Sequence, residues 1–147
     1  DVCSADLILP EGVVVYTEDK YGNREDYKSD AEHSMQLPIV VLVNGNSASA
    51  SEIFAGAIHD FEYGTLIGTK TFGKGIVQNV KMLPDGSAYK LTVSKYYTPN
   101  GHNIHGTGIE PDIEVEYEYS GDAAAEEYDE LLDSQVLKGL EVLKEQL

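Results

Sequence analysis

The chain has 147 residues, with 26 acidic against 10 basic side chains and a formal net charge of −16. That length suits one domain with a real core, and that charge repels nucleic acid and anionic lipid headgroups, which excludes nucleic acid as a partner. The single Cys3 cannot close an internal disulfide and reads as a buried thiol, and no apolar run approaches the ~18 residues a membrane span needs.

In chain order, Gly12-Val13-Val14-Val15-Tyr16-Thr17 is β-branched and aromatic. A polar turn around Tyr21-Gly22-Asn23 follows, then a short extended piece over residues 25–28, so the pair reads as a hairpin. Residues 30–36 are polar and loop-like. The apolar run over 38–43 is a buried strand. Ile53, Phe54, Ala57, Ile58 and Phe61 recur at helical spacing over residues 50–63, with Gly64 placed to end that helix. Residues 65–68 read as the next strand, which a crossover helix pairs parallel to the earlier one. Residues 76–83 and Ala88–Tyr97 form two strands around Pro84-Asp85-Gly86. Residues 109–117 are a last extended stretch. Asp122 opens an acidic, alanine-rich helix with Leu132, Val136, Leu140, Leu143 and Leu147 along one face, which either docks on its own domain or meets another copy of the chain. The organisation is a core over residues 1–120 and a C-terminal amphipathic helix over 121–147.

The chemistry gathers between the strand at 38–43 and the helix after it. Asn44-Gly45-Asn46-Ser47-Ala48-Ser49 is a turn of small residues that can lift a hydroxyl into the open. The local alternative is strong, because Ser49-Ala50-Ser51-Glu52 is also an S-x-x-E capping box. Taken alone, Lys74 is likewise a solvated surface lysine. Together they make a nucleophile and a base: Lys74 sits between Gly73 and Gly75, which let the backbone bend and approach another segment closely. A lysine amine accepts a proton only when neutral, and its ordinary pKa of about 10.4 must fall to about 7 to 8 for that task. Burial against Phe72, Ile76 and Val77 is the expected cause. Gln78, four residues after Lys74, can orient the amine without adding charge, whereas a carboxylate there would hold the proton on.

At these residues the chain resembles the carboxyl-terminal processing peptidases, the tail-specific Ser/Lys proteases. The matching segments are residues 41–52, Gly56-Ala57, residues 68–78, Tyr97-Thr98-Pro99-Asn100-Gly101 and Gly108-Ile109-Glu110-Pro111-Asp112. The resemblance implies Ser49 as nucleophile, Lys74 as general base, Gln78 as the group that positions the lysine, and the Ala50 N–H as an oxyanion donor. It implies an α/β fold of the Clp-protease and crotonase group, with the Ser49 helix on a mixed sheet and the C-terminal helix outside it. It also implies protein substrates with unstructured carboxyl-terminal tails, no cofactor, and an extracytoplasmic, bacterial setting with an anchor upstream. The family's glycine-rich oxyanion turn and its tail-binding PDZ domain are not in this sequence, so the chain reads as a fragment of the catalytic core.

Other readings compete on the same residues. Residues 68–75 nearly spell the phosphate loop G-x-x-x-x-G-K-[ST], but Gly75 stands where the magnesium-binding hydroxyl belongs, and residues 76–80 favour a strand over a helix. A folded interaction or assembly module without activity is the more serious alternative. His102 and His105 lie in a Gly/Asn-rich loop and read as solvated rather than as metal ligands, and His33 and His59 carry no signal.

Overall fold

The computed structural model describes residues 5, 7–30, 32, 34–122 and 127–147. Cys3, His33 and the alanine-rich start expected for the C-terminal helix lie outside these residues. The strands are β1 (Gly12–Asp19), β2 (Arg24–Ser29), β3 (Val40–Val43), β4 (Thr65–Gly68), β5 (Ile76–Met82), β6 (Ala88–Tyr97) and β7 (Ile113–Glu114). The helices are α1 (Ala50–Asp60) and α2 (Ser134–Gln146), with a 3₁₀ turn at Glu130–Leu132. None of these helices is long and apolar enough to cross a membrane.

β3 is apolar at every position because each of its faces meets a helix, with Leu42 still 41 % exposed on the α2 side. Val41 and Val43 join Ala55, Ala57, Ile58 and Leu66 in the core under α1, while Val40 and Leu42 line a groove with Val136, Gly139, Leu140 and Leu143 of α2. A strand sandwiched between helices must be apolar on both sides, which is the pattern of a parallel sheet. β3 and β4 pair parallel, from Val40 opposite Thr65 to Val43 opposite Gly68, and β7 adds to β4 in the same sense. The C-terminal helix docks on its own domain through Val136, Gly139 and Leu143, while Leu132, Leu140 and Leu147 of the expected face stay exposed.

The mixed sheet is divided. Parallel strands β3, β4 and β7 form one sheet, and the antiparallel order β2-β1-β6-β5 forms another. Helix α1 bridges them, packing on both β1 and β4. Two hairpins account for the antiparallel sheet, as their turn residues imply: β1 with β2 and β5 with β6, joined through β1 and β6.

Three local expectations differ. α1 ends through Glu62, at φ 53°, whose N–H bonds His59 O while the Tyr63 N–H bonds Ile58 O, both at 3.0 Å. This is a Schellman close with a non-glycine residue in the left-handed position. Gly64 serves a different need, since a Cβ there would lie 2.7 Å from the Ile39 carbonyl oxygen. The last strand contracts to Ile113–Glu114, fixed by Asp112, which exchanges backbone and side-chain bonds with Leu66. The C-terminal helix opens at Ser134 rather than Asp122: Asp133 caps it, its Oδ1 accepting the Gln135 and Val136 N–H at 2.7 and 3.1 Å.

Candidate active site

Ser49 stands between the end of β3 and the first turn of α1. Asn44 and Ser47 build the turn before it: the Ser47 N–H bonds the Asn44 carbonyl at 2.8 Å, and the Ser47 hydroxyl accepts the Asn44 N–H at 3.1 Å. Ser49 itself has φ 59° and ψ −113°, outside the wells an L-residue ordinarily occupies, and is half-buried. Such a conformation costs on the order of 1–3 kcal/mol and persists only where surrounding contacts over-determine it. A sharp strand-to-helix turn of this kind lifts a serine hydroxyl clear of its own backbone.

The capping box is present, but it is only part of what Glu52 does. The Ser49 side chain approaches the Glu52 N–H, which is satisfied by the Ser49 carbonyl at 2.9 Å, and Glu52 Oε2 accepts the Ser49 N–H at 3.0 Å. The same oxygen accepts the Lys74 N–H at 2.8 Å. Oε1 accepts the Thr71 hydroxyl and the Gly73 N–H, both at 2.6 Å. Glu52 is 0 % exposed, so four donors converge on one buried carboxylate. Bonds to a charged acceptor are roughly twice as strong as neutral ones, and leaving such a group unsatisfied would be costly. One oxygen thus holds the backbone of the serine turn and the backbone of the lysine loop together.

The lysine loop is shaped by its glycines. Gly73 has φ +87°, and a Cβ on Gly75 would lie 2.5 Å from the His105 backbone nitrogen. The loop lies against residues 104–109: Gly106 N–H bonds Gly73 O at 2.9 Å, and the Thr71 hydroxyl oxygen accepts the Ile109 N–H at 2.8 Å. His102 and His105 serve this packing through their backbones, at Thr98 and Asn103. His59 lies 3.3 Å from Asp60 and 3.5 Å from Asp112, at the other end of α1. No group of three or more His, Cys, Asp or Glu side chains among the described residues is arranged to hold a metal ion.

Four residues singled out in the sequence fall in or beside this junction. The Ala50 N–H, first in α1, has no acceptor among the described residues, as the opening N–H groups of a helix require unless something else supplies one. Lys74 is joined to Ser49 through Glu52 by its backbone, and no hydrogen bond links its ammonium to the Ser49 hydroxyl. Gln78 donates to the Thr92 hydroxyl at 3.2 Å and makes no hydrogen bond to Lys74. Gln78 also sits at a register shift, where Val77 pairs with Ser94 and Gln78 with Thr92, a bulge that re-aims side chains locally.

The burial expected around Lys74 is not found. Its side chain is exposed, Phe72 is 66 % exposed, and Ile76 and Val77 are only half-buried. The reason lies in how the loop packs: it turns its backbone toward Glu52 and residues 104–109, burying Thr71, Gly73 and Gly75 and leaving the Phe72 and Lys74 side chains outward. The S-x-x-E pattern marks Glu52 only as a local cap, whereas three of its four donors come from a distant loop.

A serine raised at the carboxyl end of a parallel strand, on the first turn of a helix and opposite a glycine-bounded lysine loop, is the framework of a serine peptidase. The chain belongs to peptidase family S41, whose model matches residues 2–115. It is 49% identical over 112 residues to a carboxyl-terminal-processing protease of Synechocystis, covering 76% of this chain and 26% of that protein. It is 42% identical over 116 residues to the carboxy-terminal processing protease CtpA of Bacillus subtilis, covering 78% of this chain and 25% of that protein. Among solved structures, the photosystem II D1 C-terminal processing protease superposes with a TM-score of 0.74 at 40% identity, over 78% of this chain and 30% of that one. The fold is thus the Clp-protease and crotonase-like α/β core, and the chain spans about a quarter of the length of the curated relatives it matches.

Proposed function

We propose that the protein carrying this chain is an endopeptidase that cuts proteins near their carboxyl termini through a Ser49/Lys74 dyad. Ser49 attacks the scissile carbonyl, Lys74 takes the hydroxyl proton and returns it to the leaving amine, and water then hydrolyses the acyl-enzyme. The Ala50 N–H stabilises the oxyanion, and Gln78 orients the amine. The observation that carries this reading is the Glu52 carboxylate, which binds the Ser49 and Lys74 N–H groups on one oxygen and so couples the two segments the chemistry needs. The strained Ser49 backbone and the open Ala50 N–H support it, and the names of the relatives point to tail cleavage.

The exposed Lys74 side chain bears on what activation of Ser49 requires. A lysine serves as a general base where water is kept from it, so on this reading exclusion of water from the Lys74 loop is a precondition for activity. The same reading carries unstructured protein tails as substrates and an extracytoplasmic setting. The test is cleavage of an unstructured tail peptide by the full-length protein. Ser49→Ala and Lys74→Ala should each abolish turnover without unfolding the enzyme, and retained turnover in either would end the dyad proposal.

A further inference from the structure

We infer that the recess between α1 and the antiparallel sheet receives the substrate side chain on the acyl side of the scissile bond, with Val77 limiting its size and Glu25 its charge. This rests on Ser49 being the nucleophile. The recess has a volume of about 350 Å³, ample for one side chain. Ile53 of α1 forms one wall, and every strand of the sheet contributes to the opposite wall: Val15, Tyr27, Tyr96 and Val77. Strand register puts these on one face, since Val15 pairs with Tyr27, Thr17 with Tyr96 and Val77 with Ser94, two residues before Tyr96.

Two of the lining residues, Ile53 and Val77, follow closely on the segments that carry the reacting groups. Ile53 lies one helical turn beyond Ser49, bonds the Ser49 carbonyl through its N–H at 3.0 Å, and, like any helical side chain, leans back toward the helix N-terminus. Val77 is three residues beyond Lys74, at the start of the edge strand. With the acyl oxygen turned toward the Ala50 N–H, the residue bearing that carbonyl lies over the first turn of α1. Its side chain then meets Ile53 and Val77. The lining is aliphatic and aromatic with a few neutral polar groups, and its one ionisable acid or base other than tyrosine is Glu25. Such a pocket accepts an uncharged side chain with an apolar body and repels a carboxylate.

The experiment uses the full-length protein and a peptide series varied only at the residue before the cut bond. Val77→Phe should lower kcat/KM for leucine and phenylalanine peptides by roughly 10-fold or more while leaving the alanine peptide within about 2-fold, the discrimination expected from a few methylenes. Glu25→Lys, a change at an exposed side chain that folding should tolerate, should raise the glutamate-to-alanine preference by roughly 10-fold. Unchanged preference in Glu25→Lys, or in a folded Val77→Phe, overturns the assignment of the recess. Ser49→Ala is run beside them: if it still cleaves, the Ser/Lys reading itself has failed, and if it is dead while both profiles stay unchanged, only the recess has.

Discussion

Replacing Glu52 by glutamine keeps its shape and removes its ability to accept from all four donors. The amide oxygen can serve only one pair. The less costly orientation keeps that oxygen on the Ser49 and Lys74 N–H groups and turns the amide nitrogen toward Thr71 and Gly73. The Thr71 hydroxyl can rotate to accept, but the Gly73 N–H is then buried without a partner, at about 1–3 kcal/mol. The two retained bonds change from charge-assisted to neutral, losing about 1 kcal/mol each. A total near 4 kcal/mol is expected for Glu52→Gln, read as a fall in urea midpoint at constant slope. Because the carboxylate ties the serine turn to the lysine loop, kcat should fall as well. Glu52→Asp, one methylene shorter, should not restore it. A glutamine variant within about 0.5 kcal/mol of the parent and with unchanged kcat would refute the assignment of Glu52 as the junction.

Other consequences follow from particular residues. Ser49→Gly should be about 1 kcal/mol more stable than Ser49→Ala by denaturation, because only glycine relieves φ 59°, whereas both should be inactive. Gln78→Glu should lower kcat, since a carboxylate near Lys74 favours the ammonium over the free amine; an unchanged kcat would separate Gln78 from the lysine. Burial pushes the Asp133 carboxyl up, but hydrogen bonds from the Tyr128 hydroxyl and the Val136 and Gln135 N–H groups outweigh it and hold the carboxyl below its ordinary value. Its stabilisation is therefore complete above the unfolded value of about 3.9 and lost as pH falls through the lower folded one, so acid should loosen α2. Asp133→Asn should flatten that part of the thermal-stability profile. The partner group Tyr128 is pushed up to about 12, and its contribution is present below about 10 and fades as pH rises through 12.

Local pattern carried most of the architecture. The run over residues 38–43, the helical spacing of Ile53, Ala57 and Ile58, and the turn at Pro84-Asp85-Gly86 each name an element whose period is set by near neighbours. Parallel pairing of β3 and β4 followed from the crossover helix between them. What stayed hidden depends on partners far along the chain. Nothing near Glu52 announces that Thr71, Gly73 and Lys74 will donate to it. Glu62 takes the left-handed position because tertiary packing reserves Gly64 for the close approach to Ile39. The division into two sheets is set by α1 packing between β1 and β4, which no strand pattern encodes. The exposure of Lys74 follows from its loop turning backbone toward Glu52 and residues 104–109, contacts with partners distant in the chain.

The central claim is that Ser49 is a nucleophile activated by Lys74, and covalent labelling of the full-length protein by a fluorophosphonate, located by peptide mass spectrometry, tests it most directly. The account predicts one adduct, on Ser49, formed rapidly in the parent and lost in Lys74→Ala, with the variant still folded. An adduct on another serine, or Ser49 labelling that proceeds at the parent rate without Lys74, would contradict it.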